Sequence, residues 1–219
     1  MFELPLFPLH TVLFPGMPLH LHIFESRYQL MIQQCMEKNQ GFGVVLIRSG
    51  QDTGNQNVKF YPIGCSARIT AIEPLKDGHL NLVARGEQRF RILKVSDTQP
   101  FLLGQVEAIP IESSPGLMNK YNIDAFSQLV RKYLHVFSKI STDETDLSLL
   151  QLPDEPTLLL YLAASIIQLP SYEKQPLLEA KSLEQFFDRL ERIYQREKAV
   201  LLHLLPISNN NARRSAAVN

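Results

Sequence analysis

The side chains best suited to metal chemistry in this sequence are histidines near its start. His20 and His22 stand two residues apart, so in a strand both imidazoles point to the same face, as two metal ligands do. His10 or Glu25 would be a third ligand. Neither a cysteine pair nor a His-Glu-x-x-His helix accompanies them. We therefore interpret them as ordinary histidines on a polar strand face, and we expect neither a metal site nor a cofactor.

Motifs of catalysis are missing from the sequence. None of its ten glycines is followed by lysine, which excludes a Gly-Lys-Ser/Thr phosphate loop. A Gly-x-Ser-x-Gly elbow of α/β-type hydrolases does not occur either. Cys35 and Cys65 fall on apolar faces of their segments, and we interpret both as buried, reduced thiols. The sequence favours a protein that is not an enzyme.

Four arginines on neighbouring predicted strands are the candidate for an electrostatic site: Arg68, Arg85, Arg89 and Arg91. If they converge, they form a basic patch of the kind that binds nucleic acid. Single-strand binding also needs aromatic rings beside the cations, and Phe90 points inward if Arg89 and Arg91 face solvent. Lys plus Arg and Asp plus Glu both number 22, so no overall field favours nucleic acid. We expect paired or solvated arginines, with RNA binding as the alternative.

Length and composition indicate one large domain or two closely packed ones. The chain has 219 residues, of which 45% are hydrophobic, enough for a sizeable core. The longest apolar stretch, 158–169, is shorter than the ~18 residues that span a bilayer and favours a core helix. The first residues lack a basic region followed by an apolar run. We expect a cytoplasmic protein that does not enter membranes.

The first forty residues predict two strands, a turn and a helix. Pro15-Gly16 matches the central positions of a type II turn between the strands. After Glu25 the apolar residues change to helical spacing, which predicts a helix that ends within 39–41. Proline cannot donate to a strand ladder, which predicts sheet edges or strand starts at three positions: Pro5, Pro8 and Pro18.

The rest of the chain changes from extended to helical patterning. Between residues 41 and 111, short apolar runs, the Asp77-Gly78 hairpin signal and a break at Gly86 predict strands. Helical stripes follow, and Ser182 with Gln185 at capping-box spacing opens a long last helix. The predicted class is therefore α+β, with strands first and helices after them.

Three regions follow from these patterns. We assign residues 1–112 to a small, closed or partly closed β-barrel with one early helix, 117–207 to a helical bundle, and 208–219 to a disordered tail. A small, closed or partly closed sheet fits better than a parallel βαβ array, because only one short helix interrupts the strands.

Several segments occur in an order that matches a known family. They are the strand, Pro-Gly turn and Glu25-Ser26-Arg27-Tyr28 helix start, then Gly64–Ile69, Leu82–Ile92, Leu177–Ala180 and Ser182–Gln185. In this order they resemble the N-terminal substrate-binding domain of Lon proteases, a domain type also found in cereblon. The resemblance runs from about Leu4 to Leu205 and rests on the order of the segments. It implies a PUA-like pseudo-barrel followed by a helical bundle.

The resemblance also implies a function, which is recognition of protein substrates without catalysis. The implied partners are unfolded or degron-bearing protein segments, with a separate AAA+ protease as an open further partner. A Lon protease also needs a nucleotide loop and a Ser–Lys dyad, and we expect neither here. PUA-like folds include RNA binders, so the alternative is an RNA-binding PUA-like protein.

An apolar interaction surface would be the physical basis of such recognition. Five phenylalanines of the predicted sheet region are candidates for it: Phe7, Phe14, Phe24, Phe42 and Phe60. For each ring, the alternative is a place in the core of the barrel.

Overall fold

The computed structural model describes residues 1–50, 58–76, 78–112, 121–140 and 150–216, with side chains described as far as residue 203. In these ranges the chain forms seven strands and five helices. The strands are β1 (Phe2–Leu9), β2 (Pro18–Ile23), β3 (Phe42–Ser49), β4 (Lys59–Phe60), β5 (Ile63–Pro74), β6 (Leu80–Ser96) and β7 (Leu102–Ala108). The helices are α1 (Ser26–Glu37), α2 (Ile123–Ser138), α3 (Pro156–Ile166), α4 (Ser171–Leu178) and α5 (Leu183–Ala216). This confirms the predicted α+β class.

Five of the strands close into a ring. Their hydrogen-bonded order is β1, β7, β6, β5, β3, and β3 pairs again with β1. The β1–β3 pair is parallel, from Leu6 opposite Gly43 to Leu9 opposite Leu46, and the other described pairs are antiparallel. β2 pairs with β6 and begins at Pro18, as predicted. The ring confirms the expectation of a small closed sheet.

The prolines of β1 lie within the ring, although the sequence predicted a sheet edge. β1 pairs with β7 over Phe2–Leu6 and with β3 over Leu6–Leu9, so the two ladders share a single residue. In the described pairings, Pro5 therefore lies beside β7 alone and Pro8 lies beside β3 alone. A missing N–H is tolerated where that side of the strand carries no ladder. The edge prediction is wrong for β1 as a whole, because the strand changes partners between its prolines.

The turn between β1 and β2 has the predicted type II geometry. The Met17 N–H donates to the Phe14 carbonyl at 3.1 Å, and Gly16 has a φ of 80°. The turn lies on Gly86 of β6, whose N–H donates to the Met17 carbonyl at 2.9 Å. A Cβ at Gly86 would stand 2.3 Å from the Phe14 carbonyl oxygen. The predicted break at Gly86 is thus the place where the turn packs on the strand, and the β5–β6 register shifts beside it.

Helix α1 packs its apolar face against the ring. Its buried residues are Tyr28, Met31, Ile32 and Cys35. The Tyr28 ring stacks on that of Phe7 in β1, with 4.0 Å between centroids. The helix ends at Glu37 with Lys38 as its C-cap, and Asn39 has a φ of 49°, a left-handed conformation common after helix ends. The helix thus ends two residues before the predicted range of 39–41.

The chain divides into two compact units, which we call the barrel unit and the helical unit. The barrel unit comprises Met1–Glu112 and Ala164–Lys181, and the helical unit comprises Ser113–Ala163 and Ser182–Asn219. The sequence placed a single boundary between 112 and 117. In the structure, residues 164–181, the segment that contains α4, belong to the barrel unit, whereas the sequence assigned them to the helical bundle.

Each unit has its own core. In the barrel unit it is built around one buried cluster: Leu4, Leu6, Val45, Phe90 and Val106. In the helical unit aromatic rings of α2 and α5 pack together, with 5.1 Å between the centroids of Phe126 and Phe187 and 5.1 Å between those of Tyr133 and Tyr194. The Tyr194 hydroxyl donates to the Ala163 carbonyl of α3 at 2.9 Å. The order of these contacts shows that α2 and α5 run in the same direction.

The last helix, α5, begins as predicted. The Gln185 N–H donates to the Ser182 hydroxyl oxygen at 3.3 Å, which caps the first turn. The helix continues to Ala216, whereas the sequence predicted a disordered tail from residue 208. Asp77 of the predicted hairpin and the predicted start of the bundle at 117 lie outside the described residues. None of the helices in the described ranges has the length and apolarity to cross a bilayer.

Candidate protein-binding surface

An exposed aromatic ring stands where β2 ends. Phe24 is 60% exposed, whereas the preceding Ile23 is buried. Strand alternation explains the contrast, since Ile23 points to the core and its two neighbours, His22 and Phe24, point outward. Both rings also lie near the imidazole of His79. The ring centroid of Phe24 is 6.3 Å from those of His22 and of His79, and the centroids of the two imidazoles are 5.1 Å apart. We call these three rings the aromatic cluster.

A groove of about 510 Å³ lies between α1 and the β5–β6 hairpin. Its lining residues are Ser26, Gln29, Leu30, Ile32, Gln33, Met36, Ile72, Gly78 and Leu80. The Gln29 side-chain amide donates to the Gly78 carbonyl at 3.0 Å, which ties the helix to the hairpin. Met36 is 55% exposed. His79 of the aromatic cluster stands in sequence between the lining residues Gly78 and Leu80, and the three rings themselves do not line this α1 groove.

The α1 groove is lined by apolar and uncharged polar residues. Its polar residues are Ser26, Gln29 and Gln33. At the start of α1, the Arg27 guanidinium donates to the Glu25 carboxylate at 2.9 Å and lies 4.4 Å from the centre of the Tyr28 ring. These contacts neutralise the charge at the start of α1, whereas near its end the Glu37 carboxylate accepts a hydrogen bond from the lining residue Gln33 at 2.9 Å. Such a surface suits apolar and neutral peptide side chains better than ions.

Metal binding finds no structural basis in the described residues. No group of three His, Cys, Asp or Glu side chains there is placed to hold an ion, the strand histidines included. His22 Nδ1 instead lies 3.1 Å from the Asn81 side-chain oxygen on the neighbouring strand. This hydrogen bond is an ordinary cross-strand contact.

The five candidate phenylalanines do not share one surface. Phe14 and Phe42 are 0% exposed and Phe7 is 6% exposed, so these three rings belong to the core. Phe60 is partly buried against the barrel core. Phe24 alone among the five is well exposed. The predicted five-ring surface is therefore wrong, because the closed ring and α1 cover the positions from which the other rings project.

The four arginines do not form an open basic patch either. Arg68 and Arg91 form ion pairs with glutamates of the barrel unit, as expected. Arg85 donates to a backbone carbonyl of the β1–β2 turn at 3.1 Å. Arg89 is 4% exposed. The candidate basic patch does not form, because pairing neutralises two of its members and burial removes a third.

Arg89 fastens α4 to the barrel unit. The next residue, Phe90, is also buried, so β6 is covered on both faces at this point. Arg89 Nη1 donates to the carbonyls of Leu178, at 2.8 Å, and Ala180. Carbonyls at the end of a helix lack intrahelical partners and carry partial negative charge, which a guanidinium satisfies. Sequence reasoning missed this role, because nothing within β6 marks the arginine that a distant helix will cover.

Other polar side chains of α4 make similar contacts. The Gln175 side-chain amide donates to the first carbonyl of β5 at 3.0 Å, and the Ser171 hydroxyl donates to the His10 carbonyl at 2.6 Å. The Lys174 ammonium donates to the Ser165 carbonyl at 2.7 Å. Burial lowers the pKa of Lys174 from 10.5 to about 8. These contacts hold the helix in place.

Both cysteines are buried, as predicted. Burial raises the pKa of Cys35 from 9.0 to about 11 and that of Cys65 from 9.0 to about 12. The nucleophilic form of cysteine is the thiolate, so both thiols are inert at neutral pH.

Comparison with known proteins places this fold among Lon-type domains. Residues 3–196 match the family model described as the ATP-dependent protease La (LON) substrate-binding domain. A Lon protease from Anaeromyxobacter dehalogenans is 24% identical over 203 residues, which are 90% of this chain and 24% of that protein. A LON peptidase N-terminal domain and RING finger protein from Schizosaccharomyces pombe is 36% identical over 101 residues, 41% of this chain and 21% of that protein. The chain thus spans about a quarter of the length of the Lon protease it matches.

Solved structures show the same fold. A Lon N-terminal domain protein from Xanthomonas campestris superposes with a TM-score of 0.60 at 25% identity, covering 88% of this chain and 97% of that one. The N-terminal domain of the Mycobacterium avium complex Lon protease superposes with a TM-score of 0.58 at 18% identity, covering 90% of this chain and 98% of that one.

Proposed function

This chain belongs to the family of Lon substrate-binding domains, and from that membership we propose that it binds segments of other proteins without changing them chemically. The match over residues 3–196 carries the proposal, because it includes most of both units. The proposed ligands are apolar segments that an unfolded or degron-bearing protein exposes. The proposal extends to a cytoplasmic setting in which bound clients pass to a separate AAA+ protease.

The α1 groove with its aromatic cluster supports the proposal as the binding site. Unfolded segments expose apolar side chains, and burying them against Met36 and the apolar lining removes that surface from water. The Phe24 ring, 60% exposed, offers a large aromatic anchor of the kind that dominates binding energy at interfaces. The uncharged lining suits clients of varied sequence, because it repels neither sign of charge.

A non-catalytic role is supported by the chemistry of the described side chains. The two thiols are buried and protonated, and the buried Arg89 is engaged with carbonyls of α4. The 219 residues also contain no Gly-Lys sequence of a phosphate loop.

Fluorescence anisotropy tests the proposal. Labelled α-lactalbumin, reduced and carboxymethylated so that it stays unfolded, is titrated with the chain at physiological salt, and saturable binding is expected. Phe24→Ser should weaken binding about tenfold, the loss of one modest aromatic anchor. Tyr172→Ser is the matched control, because Tyr172 is 63% exposed and does not line the groove.

The outcomes separate the function from its site. Absence of saturable binding would contradict the proposed function. If Phe24→Ser bound the unfolded protein as tightly as the wild type, the proposed function would stand, but its binding site would lie elsewhere on the molecule. A labelled single-stranded RNA titrated in parallel covers the alternative. If only the RNA bound, with an affinity that falls steeply with salt, RNA binding would replace the proposal.

A further inference from the structure

A second groove lies wholly within the helical unit, between α2 and α5. Its volume is about 450 Å³. Its lining residues are Arg131, Lys132, His135, Val136, Lys198 and Leu202. Three of these side chains are basic, namely Arg131, Lys132 and Lys198, which distinguishes this α2–α5 groove from the uncharged α1 groove.

Both helices bring the same pair of side chains to the groove. On α2, Lys132 precedes Val136 by four residues, and on α5, Lys198 precedes Leu202 by four. Residues four apart are neighbours on one face of a helix. Because α2 and α5 run in the same direction, the two lysines lie toward one end of the groove and the two apolar residues toward the other.

The cations of the groove are available to a ligand. Arg131 and Lys132 are exposed, Lys198 is half-buried, and none of them forms an ion pair with another described residue. The one acidic residue of α2 is Asp124, in its first turn, about two turns from Arg131. On α5, Glu197 pairs with Arg196.

Helix-end electrostatics accounts for only part of this charge. His135 lies in the last turn of α2, where cations interact favourably with the terminal carbonyls, whereas Arg131 and Lys132 precede that turn. Lys198 lies in the interior of α5, far from either end, so this explanation does not apply to it. Leu202 beside it is 48% exposed, which leaves apolar surface in water. A ligand that is apolar along one line and acidic along its borders would satisfy both features.

From this geometry we propose that the α2–α5 groove binds an acidic amphipathic helix of a partner protein. The apolar ridge of that helix packs on Val136 and Leu202, and its Asp or Glu side chains lie against Lys132 and Lys198. A helix is the shape that fits, because a groove between two packed helices accepts the side-chain ridge of a third. This inference concerns a surface distinct from the α1 groove and does not depend on the proposed function.

Two synthetic peptides test the proposal with the full chain. Each is fluorescein-labelled, about 15 residues long so that it can form helix, and carries Leu at helical spacing. One has Glu at every flanking position and the other has Lys. We expect saturable binding of the Glu peptide, measured by anisotropy, at least tenfold tighter than that of the Lys peptide and weakened by added salt.

Charge reversal in the groove provides the decisive variant. The double change Lys132→Glu and Lys198→Glu should weaken binding of the Glu peptide at least tenfold. The control is Arg48→Glu with Lys94→Glu, which changes the net charge equally at exposed positions of the barrel unit. Leu202→Gln should weaken binding several-fold while keeping the helix, because Gln is a good helix former. Circular dichroism checks that each variant is folded, and Phe24→Ser should bind the Glu peptide like the wild type.

Four outcomes would overturn the proposal. Equal affinity for the Glu and Lys peptides would remove the charge argument, and wild-type affinity of the Lys132→Glu, Lys198→Glu variant would remove the site. A dimer in sedimentation analysis that this variant abolishes would identify a second copy of the chain as the occupant. Single-stranded RNA bound by the wild type and lost in the same variant would make the groove a nucleic-acid site.

Discussion

The barrel unit and the helical unit hold their helices by different contacts. In the barrel unit, the buried guanidinium of Arg89 donates to two carbonyls at the end of α4. In the helical unit, the neutral hydroxyl of Tyr194 donates to one carbonyl of α3 amid aromatic rings. Bonds from a charged donor are worth about twice as much as neutral ones, and losing them in a buried site costs more. One polar residue is therefore expected to matter more in the barrel unit.

The largest effect is expected from Arg89→Met. The methionine keeps apolar volume but removes the charged donor from the two carbonyls, so we expect a loss of about 3 kcal/mol in the free energy of unfolding. Urea titration followed by circular dichroism measures it. Arg89→Lys keeps the charge and should fall between the wild type and Arg89→Met. A loss below about 1 kcal/mol for Arg89→Met would break the comparison between the units.

Thiol labelling sharpens the comparison, because both cysteines lie in the barrel unit. The pKa values of about 11 and 12 keep the folded thiols protonated, so reaction with Ellman's reagent requires opening of the unit. Arg89→Met should raise the labelling rate on the order of 100-fold, as a loss of about 3 kcal/mol implies. Tyr194→Phe should leave the rate unchanged. Equal acceleration by both substitutions would show that the two units open together.

Tyr194→Phe should have a smaller effect on stability than Arg89→Met. It removes the hydroxyl bond to the Ala163 carbonyl and keeps the ring contacts, so we expect a loss of about 1 kcal/mol. Tyr172→Phe, at an exposed position, is the control and should change nothing. Urea titration compares the three proteins. A loss as large as that of Arg89→Met would show that the helical unit depends equally on one polar contact.

The stability of the chain should also depend on pH through Lys174. Its pKa is about 8 in the folded chain against 10.5 ordinarily, so between these values the unfolded chain binds more protons. The free energy of unfolding contributed by Lys174 therefore rises as pH increases from 8 to 10.5. The two cysteines act oppositely above pH 9, since folded thiols keep protons that unfolded ones release. The Lys174→Met variant should lack this rise. Urea titration of both proteins between pH 8 and 10.5 should therefore show that the free energy of unfolding of the wild type minus that of the variant grows with pH. A difference that stays constant over this range would contradict the prediction.

Features that depend on neighbours in the chain could be predicted well. The turn at Pro15-Gly16 and the cap at Ser182 match the structure, and α1 ends two residues before its predicted end. Each is decided within a few residues, by a backbone angle, a helical period or one side-chain bond. Phe24 was among the candidate surface rings. The residues around it in the sequence, however, do not distinguish it from Phe14, which is buried.

The sequence by itself determined the family, the α+β class and most of the elements, because apolar periodicity, turn residues and caps act locally. Only the tertiary structure decided that β1 changes partners to close the ring, that Arg89 is covered by α4, and that one groove is neutral while the other is cationic. These properties join residues far apart in the chain. Their contacts depend on how whole elements pack, which no local pattern of residue types specifies.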